Sequence, residues 1–206
     1  MEFLRTANAG GLLKMDGISI LLDGVCSKVE PYAVTPEDYI EQLSVNYPDA
    51  VGFTHRHPDH FLNSYVCDYE RETGKRAYLD EAICVKLGNV HLQSILTRHL
   101  GRVEEGLLHC SFLISGTKTV LFTGDAAPAT VKGIAADVVI APFAYANSSS
   151  GLKAVLETGA KYLILVHMPE CKADPYGIWA GVNETILAQD GLQVFIPEMG
   201  ENIVIH

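Results

Sequence analysis

Three of the eight histidines lie close together near residue 57, in a segment that also carries an aspartate. If the strand before this segment stays extended, His55 and His57 point to the same side, because side chains alternate along a strand. Pro58 ends the extended run and suits the first turn of a helix, so Asp59 and His60 project in a changed direction. Imidazole and carboxylate at this spacing suit zinc. The segment therefore predicts two neighbouring sets of metal ligands. The alternative is a solvated turn at a helix N-terminus.

A predicted hairpin brings a further histidine towards a further aspartate. Gly116-Thr117 separates two apolar runs and is typical of a two-residue type II′ loop. In that register Ser115 faces Lys118, and His109 faces Gly124, the residue before an aspartate. The hairpin thus predicts that a histidine and an aspartate meet at its open end.

His167 follows the apolar run 162–166, and Asp125 follows the run 120–123. Such continuous apolar runs predict parallel strands that are buried on both faces. Ligands of open α/β sheets gather at the carboxyl edge of the strands, where both residues would lie. A buried capping histidine is the alternative for His167, but its place at this edge favours a ligand.

The first half of the chain contains the elements that must position the histidine segment. Asp16-Gly17 between apolar runs predicts a hairpin. Thr35 as N-cap and Pro36 at the first helical position predict a helix to Leu43, with acidic residues in its first turn. A short strand over 50–54 precedes the histidines, and a helix follows them as far as Gly74.

The second half is predicted to begin with antiparallel strands over 77–115, joined by glycine-containing turns. Runs at 120–123, 138–141 and 162–166 then predict parallel strands separated by helices. No linker or repeat divides the chain. We therefore expect a single domain over residues 1–206.

Composition limits the classes of partner. The chain has 206 residues, 48% hydrophobic and 19% charged, with a net charge of −10, so we expect a globular protein without a nucleic-acid-binding surface. Neither a signal peptide nor a membrane span is visible, which predicts a cytoplasmic protein without membrane association. Five cysteines without a C-x-x-C pair argue against disulfides and a zinc knuckle. We expect a small-molecule substrate, and a homo-oligomer is the common default.

Taken together, these motifs resemble those of the metallo-β-lactamase-fold metal-dependent hydrolases. The H-x-H-x-D-H motif spans 55–60, the later histidines are His109 and His167, and the Gly-Asp pair ends at Asp125. The resemblance covers nearly the whole chain and implies an α/β (α+β) fold, a four-layer αβ/βα sandwich of two mixed sheets flanked by helices. The short length and the close spacing of His109 and Asp125 look like the compact subgroup similar to ascorbate-6-phosphate lactonase.

The resemblance also implies how the residues divide between two divalent ions, zinc first, with manganese or iron as alternatives. One ion would take His55, His57 and His109, and the other would take Asp59, His60 and His167. Asp125 would bridge the two ions. Asp23, at the end of an early strand, would brace the histidine segment, or it is only a turn residue.

Hydrolysis is the chemistry that such a pair of ions supports. A bridging hydroxide would attack an ester, lactone, thioester or phosphodiester of a small, anionic molecule, with Asp59 and Asp125 as the catalytic carboxylates. The main alternative is a mononuclear iron dioxygenase acting on a thiol or persulfide. The second alternative is a metal-binding domain without catalytic activity.

Four more residues are candidates for contact with substrate. Arg98 and His99 lie where the strand pair leading to His109 begins, and Tyr145 and Asn147 follow another predicted parallel strand. The alternatives are a surface basic pair for the first two and a solvated loop for the last two.

Overall fold

The computed structural model describes residues 1–102, 106–169, 176–187 and 191–206, which form two mixed β-sheets flanked by helices. The strands, in chain order, are β1 Glu2–Arg5, β2 Gly11–Met15, β3 Ile18–Leu22, β4 Ala50–Phe53, β5 Tyr78–Leu79, β6 Cys84–Leu87, β7 Val90–Thr97, β8 His109–Ser115, β9 Thr119–Phe122, β10 Val138–Pro142, β11 Tyr162–Val166, β12 Gln193–Phe195 and β13 Asn202–Val204. The helices are α1 Glu37–Val45, α2 Asn63–Thr73, α3 Ser149–Glu157 and α4 Ile178–Leu187.

The first sheet has the strand order β13-β1-β2-β3-β4-β5, and the second has the order β12-β11-β10-β9-β8-β7-β6. In the first sheet β3, β4 and β5 run parallel, whereas the other pairs are antiparallel. In the second sheet β9 to β12 run parallel and β6 to β9 antiparallel. Each sheet therefore combines a hairpin region with a parallel region, and the parallel strands predicted in the last third are confirmed.

The main core lies between the two sheets. It joins Leu13 and Leu22 of the first sheet to Phe112, Val120 and Ile140 of the second, all of them at most 1% exposed. Full burial of one such side chain contributes about 1.5–3 kcal/mol. The sheets therefore pack face to face because their alternating apolar faces need a common interior.

The helices cover the outer faces. Residues of α1 and α2, including Leu43 and Tyr69, pack with Val51 and Phe53 of the first sheet. Ala154 and Val155 of α3 pack against the second sheet. The result is a four-layer sandwich of helix, sheet, sheet and helix, as predicted.

The Asp16-Gly17 hairpin is confirmed, and both of its turn residues have a positive φ, 53° and 78°. The hairpin between β8 and β9 differs from its prediction by one residue. Ser115 pairs with Thr119, not Lys118, so the loop has three residues. The reason is a long-range contact: the Asp16 carboxylate accepts hydrogen bonds from the Thr117 backbone N–H at 2.7 Å and from its hydroxyl at 2.8 Å.

Helix α1 begins one residue later than predicted. Pro36 occupies the N-cap position without a side-chain cap. The Thr35 hydroxyl, predicted to cap the helix, is buried and instead accepts a hydrogen bond from the Cys26 backbone N–H at 2.9 Å. The acidic residues in the first turn and the end of α2 at Gly74 are as predicted.

Three further observations bear on the predictions. Strand β5 lies within the region predicted as antiparallel, yet it joins β4 in parallel in the first sheet. The described cysteines, Cys26, Cys67, Cys84 and Cys110, are free, and Cys171 lies outside the described residues. A search of the described helices finds none with the length and apolar character needed to cross a bilayer.

Candidate metal centre

The predicted ligands come together at one rim of the sandwich, from both sheets. The histidine segment follows β4, and Asp23 follows the neighbouring parallel strand β3. His109 begins β8, while Asp125 and His167 come shortly after β9 and β11. The carboxyl ends of parallel strands share an edge, which is why residues far apart in the sequence meet here.

Strand β4 ends at Phe53, before the histidines, so the strand does not continue through them as the sequence argument assumed. His55 and His57 nevertheless converge. Nε2 of His55 lies 2.9 Å from Nδ1 of His57. The carbonyl of His57 accepts hydrogen bonds from the backbone N–H groups of His60 and Phe61, both at 3.0 Å. This tight turn carries His60 away from the strand direction, as the proline predicts.

Asp23 holds the histidine segment through hydrogen bonds at both of its ends. Its fully buried carboxylate accepts hydrogen bonds from the Thr54 backbone N–H at 2.8 Å and the Thr54 hydroxyl at 2.6 Å, and it lies 2.8 Å from Nδ1 of His60. Asp23 has a φ of 42° and His167 a φ of 58°, in the left-handed region. Such strain in non-glycine residues is concentrated at functional sites.

The Asp125 carboxylate lies at the centre of the cluster. Its Oδ2 is 3.4 Å from Nε2 of His60 and 3.6 Å from Nε2 of both His99 and His167. Burial favours the neutral acid, but the charges of His167 and His60 outweigh it and hold the Asp125 pKa well below its usual value. Burial of His60 is likewise outweighed by Asp125 and Asp23, which raise its pKa well above the usual value.

His109 enters the cluster from the second sheet. Its Nδ1 is 2.7 Å from the hydroxyl of Thr97, the residue directly opposite on β7. Burial, opposed by the charge of Asp125, lowers the His109 pKa to about 3. His109 is therefore neutral near pH 7 and offers a lone pair.

The chemistry of these side chains fits a metal ion. Nε2 of His99 and Nε2 of His109 are buried and have no hydrogen-bond partner among the described residues. Unpaired buried nitrogens cost free energy unless something binds them. An ion with tetrahedral bonds of ~2.0–2.1 Å would hold its ligand atoms roughly 3.4 Å apart. The separations around Asp125, together with 3.1 Å between Asp59 Oδ2 and His167 Nε2, bracket that value.

Three overlapping groups of side chains place their ligand atoms within 4.8 Å of one another. These groups are His55, His57 and His99; His55, His60 and Asp125; and Asp59, His60 and His167. Imidazole and carboxylate ligands suit zinc, and also iron or manganese. The residues described here could therefore hold divalent metal.

The other residues predicted to contact substrate lie in different surroundings. The Arg98 side chain is exposed, and its carbonyl accepts a hydrogen bond from Ala127. Tyr145 is buried, and its hydroxyl donates to the carbonyl of Ala126 at 2.8 Å. The amide of Asn147 donates to the carbonyl of Ile178 in α4, at 3.4 Å. Of the four candidates, His99 is the one whose ring lies among the histidines.

Tyr32 is a residue of the site that the sequence analysis did not single out. Its ring meets the ring of His167 edge-on, with centroids 4.3 Å apart. Burial, followed by the charges of Asp125 and Asp59, raises the Tyr32 pKa above its usual value. Tyr32 lies in a loop between β3 and α1, and nothing in the local pattern signals that this loop reaches the rim.

Solved structures of the same fold were found by comparison of the coordinates. A possible metal-dependent hydrolase from Veillonella parvula has a TM-score of 0.72 at 17% identity, and the alignment covers 100% of this chain and 99% of the other. An isothiocyanate hydrolase from Delia radicum gut bacteria has a TM-score of 0.69 at 15% identity, with coverage of 100% and 99%. The metallo-beta-lactamase fold protein YhfI from Bacillus subtilis has a TM-score of 0.63 at 16% identity, with coverage of 96% and 91%.

These likenesses establish that the chain has the metallo-β-lactamase fold. No family model matches the sequence, and a comparison with curated proteins gives no match. At such low identities the shared fold does not carry an activity from one protein to another. The function must therefore be argued from the residues of the site.

Proposed function

We propose that this chain is a metal-dependent hydrolase with a dinuclear site that acts on an ester, lactone, thioester or phosphodiester of a small, anionic molecule. The observation that supports the proposal is the position of Asp125, whose carboxylate lies within 3.6 Å of imidazole nitrogens from three separate segments. A carboxylate so placed is suited to bridging two ions.

The geometry agrees with the division that the resemblance implies for one ion but not for the other, since His55 and His57 are grouped with His99 and not with His109. Asp59, His60 and His167 form one compact group, and His55 and His57 begin the other. Divalent ions bound there would lower the pKa of a bound water towards ~7 and so supply a nucleophile at neutral pH. Zinc suits the donor set best, with manganese or iron as alternatives.

Asp59 is suited to orienting the nucleophile. Its side chain is 13% exposed, and its Oδ2 lies 3.1 Å from Nε2 of His167. Burial raises the Asp59 pKa, but the hydrogen bond with His167 and the charges of His60 and His167 lower it overall. Asp59 is therefore ionised near neutral pH, and its carboxylate oxygens can accept a hydrogen bond from a nucleophilic water.

The charge of the site favours an anionic substrate. Two divalent ions would bring four positive charges to a cluster in which Asp59 and Asp125 are the ligand carboxylates. The chain as a whole is acidic, with a net charge of −10, so bound ions would make this rim a place that attracts an anion. The same acidity opposes binding of nucleic acid.

Metal content per chain is the first test. The purified protein is analysed for elements after removal of loosely bound ions, and we expect two zinc or manganese ions per chain. One iron ion per chain, with visible absorption after aerobic purification, would instead favour the thiol or persulfide dioxygenase.

Activity with both sites filled is the second test. The substrate panel contains lactones, including sugar-phosphate lactones, with esters, thioesters and phosphodiesters, and an isothiocyanate because a protein of the same fold hydrolyses that class. We expect turnover of at least one ester-like class, abolished by a chelator. Asp59→Asn should lose most of its turnover, and a variant that bound two ions and kept full turnover would remove Asp59 from this role. A fully metallated wild type that hydrolyses nothing in the panel would favour the non-catalytic domain.

A further inference from the structure

The loop between β3 and α1 is fixed to the histidine segment and closed at its base. The Ser27 backbone N–H donates to the Pro58 carbonyl at 2.7 Å. The two ends of the loop are joined where the Cys26 backbone N–H donates to the Thr35 hydroxyl at 2.9 Å. Compact loops whose ends lie close together are frequently functional. These contacts hold the residue between them, Tyr32, at the rim of the sandwich.

Tyr32 lies against a candidate ligand and faces two carboxylates. Its ring meets the ring of His167 edge-on, with centroids 4.3 Å apart. After burial, the charges of Asp125 and then Asp59 are what raise the Tyr32 pKa, so its hydroxyl lies within electrostatic range of both carboxylates. The Tyr32 side chain is half-buried, so a molecule entering the site from solvent can contact it.

The Tyr32 hydroxyl has no hydrogen-bond partner among the residues that the structure describes. In contrast, the hydroxyls of Tyr65, Tyr69 and Tyr145 each donate to a backbone carbonyl. A phenol is protonated near neutral pH and can donate a hydrogen bond. The imidazoles and carboxylates beside it would offer lone pairs as metal ligands, and not donors. Tyr32 therefore supplies a donor that the ligand cluster itself lacks.

We propose that Tyr32 is a substrate-binding residue, whose hydroxyl donates a hydrogen bond to an oxygen anion at the His167 side of the cluster. The proposal rests on the hydrolase function and adds the side chain that recognises the anion. Hydrolysis of an ester, lactone or thioester releases a carboxylate, and hydrolysis of a phosphodiester releases a phosphate monoester. Each of these products carries an oxygen anion, so one donor serves all four classes.

Anion binding tests the inference with a readout other than activity. Protein loaded with Co²⁺ is titrated with inorganic phosphate and separately with acetate, following visible absorption, for wild type, Tyr32→Phe and Tyr162→Phe. Tyr162 is also half-buried, and it begins β11, at the end of that strand away from His167. We expect Tyr162→Phe to bind at least one anion as the wild type does. Tyr32→Phe should bind that anion at least about tenfold more weakly.

Two measurements separate loss of the hydroxyl from damage to the site. Tyr32→Phe keeps the ring against His167, so its affinity for Co²⁺ and its number of bound ions, measured by calorimetric titration, should equal those of the wild type. Thermal unfolding of the metal-free variants checks that each one folds. A tenfold loss for phosphate would indicate a phosphodiester substrate, and a loss for acetate alone would indicate an ester, lactone or thioester.

The outcomes distinguish this inference from the proposed function. If Tyr32→Phe binds both anions as the wild type does, or if the loaded wild type binds neither, Tyr32 is not the anion donor, and the hydrolase proposal still stands on turnover. If Tyr32→Phe instead loses affinity for Co²⁺, Tyr32 acts on His167 and not on the substrate, which also overturns the inference. If the wild type binds no ion, both proposals fail.

Discussion

Three imidazoles of the cluster are oriented by Nδ1 and leave Nε2 for the cluster. Nδ1 of His60 lies against Asp23, Nδ1 of His109 against Thr97, and Nδ1 of His99 against the Leu100 carbonyl. The sequence could supply the residue types and their spacing. It could not supply these partners, because Thr97 reaches His109 only through the pairing of β7 with β8.

Asp23 offers a test of this orienting shell. Asp23→Asn keeps the shape of the side chain but loses the charge that holds the His60 N–H. We expect zinc affinity to fall about 10- to 100-fold, measured by competition with a chromophoric chelator. Asp137→Asn is the matched control. The Asp137 carboxylate is exposed and also accepts a hydrogen bond from a backbone N–H, that of Thr119, but Asp137 is not one of the candidate ligands. Equal affinities in both variants would show that Asp23 only supports the turn.

The buried neutral His109 predicts a dependence of stability on pH. Its pKa is lowered to about 3, so between about pH 6.5 and that value the unfolded chain binds a proton that the folded chain does not. The free energy of unfolding of the metal-free protein therefore falls as pH falls through this range. His109→Gln removes this contribution and should lose less stability on acidification.

Urea unfolding of the metal-free proteins at about pH 7 and about pH 4.5 checks this result. The raised pKa of His60 has the opposite sign: its contribution is present below about pH 6.5 and is lost at higher pH. This His60 contribution should be the same in the wild type and in His109→Gln. An equal acid loss in wild type and variant would contradict the prediction for His109.

At the scale of elements, Gly124 is where the loop after β9 passes the end of β4. It has a φ of 50°, and a Cβ there would lie 2.5 Å from the Thr54 methyl carbon. Gly133 also has a positive φ, of 78°, but a Cβ there would meet nothing within 4 Å. The two glycines therefore share a backbone requirement and differ in packing.

We expect Gly133→Ala to cost about 1–2 kcal/mol, the price of the left-handed backbone alone. Gly124→Ala should cost about 1–3 kcal/mol more, because it also pushes against Thr54, and it should weaken metal binding. Urea unfolding measures the first effect and metal titration the second. Equal costs in the two variants would mean that the Thr54 contact relaxes freely.

The elements show where sequence patterns succeed and fail. Periodicity and turn residues predicted the Asp16-Gly17 hairpin, the end of α2 and the parallel strands of the second sheet. The loop at Gly116 was misjudged because its geometry depends on Asp16, about a hundred positions away. The cap of α1 was misjudged because Thr35 is engaged by Cys26. The two errors arise from contacts with residues nine and about a hundred positions away, which the pattern at the turn or cap itself does not encode.

At the scale of the molecule, the candidate centre joins the two sheets. The Cys110 N–H of β8 donates to the Thr54 carbonyl after β4, at 2.9 Å, so the sheets already meet beside the cluster. Motif order along the chain was enough to predict this meeting of both halves. The contribution of Tyr32 was not predictable, since it depends on the path of a loop.

Chelation should lower thermal stability, because ions that bind only the folded chain stabilise it. Ions at about 100 times their dissociation constant contribute about 2.7 kcal/mol each. For a chain of this size each ion corresponds to roughly 5–10 °C in Tm, so removing both ions with a chelator should lower Tm by roughly 10–20 °C. Calorimetry measures the shift, and Asp125→Asn should show a smaller one. An unchanged wild-type Tm would argue against ions bound at this rim.

The Asp16 contact with Thr117 lies at the end of the sandwich opposite the centre, because each of the strands β3 and β8 runs from one end to the other. The two sheets are thus connected at one end by the Asp16 carboxylate and at the other end by the ligand cluster. Without ions, we expect the two sheets to separate transiently at the end that carries the ligand cluster, and not at the end that carries Asp16. Amide exchange at Cys110 should then quicken on chelation, while exchange at Thr117 stays the same.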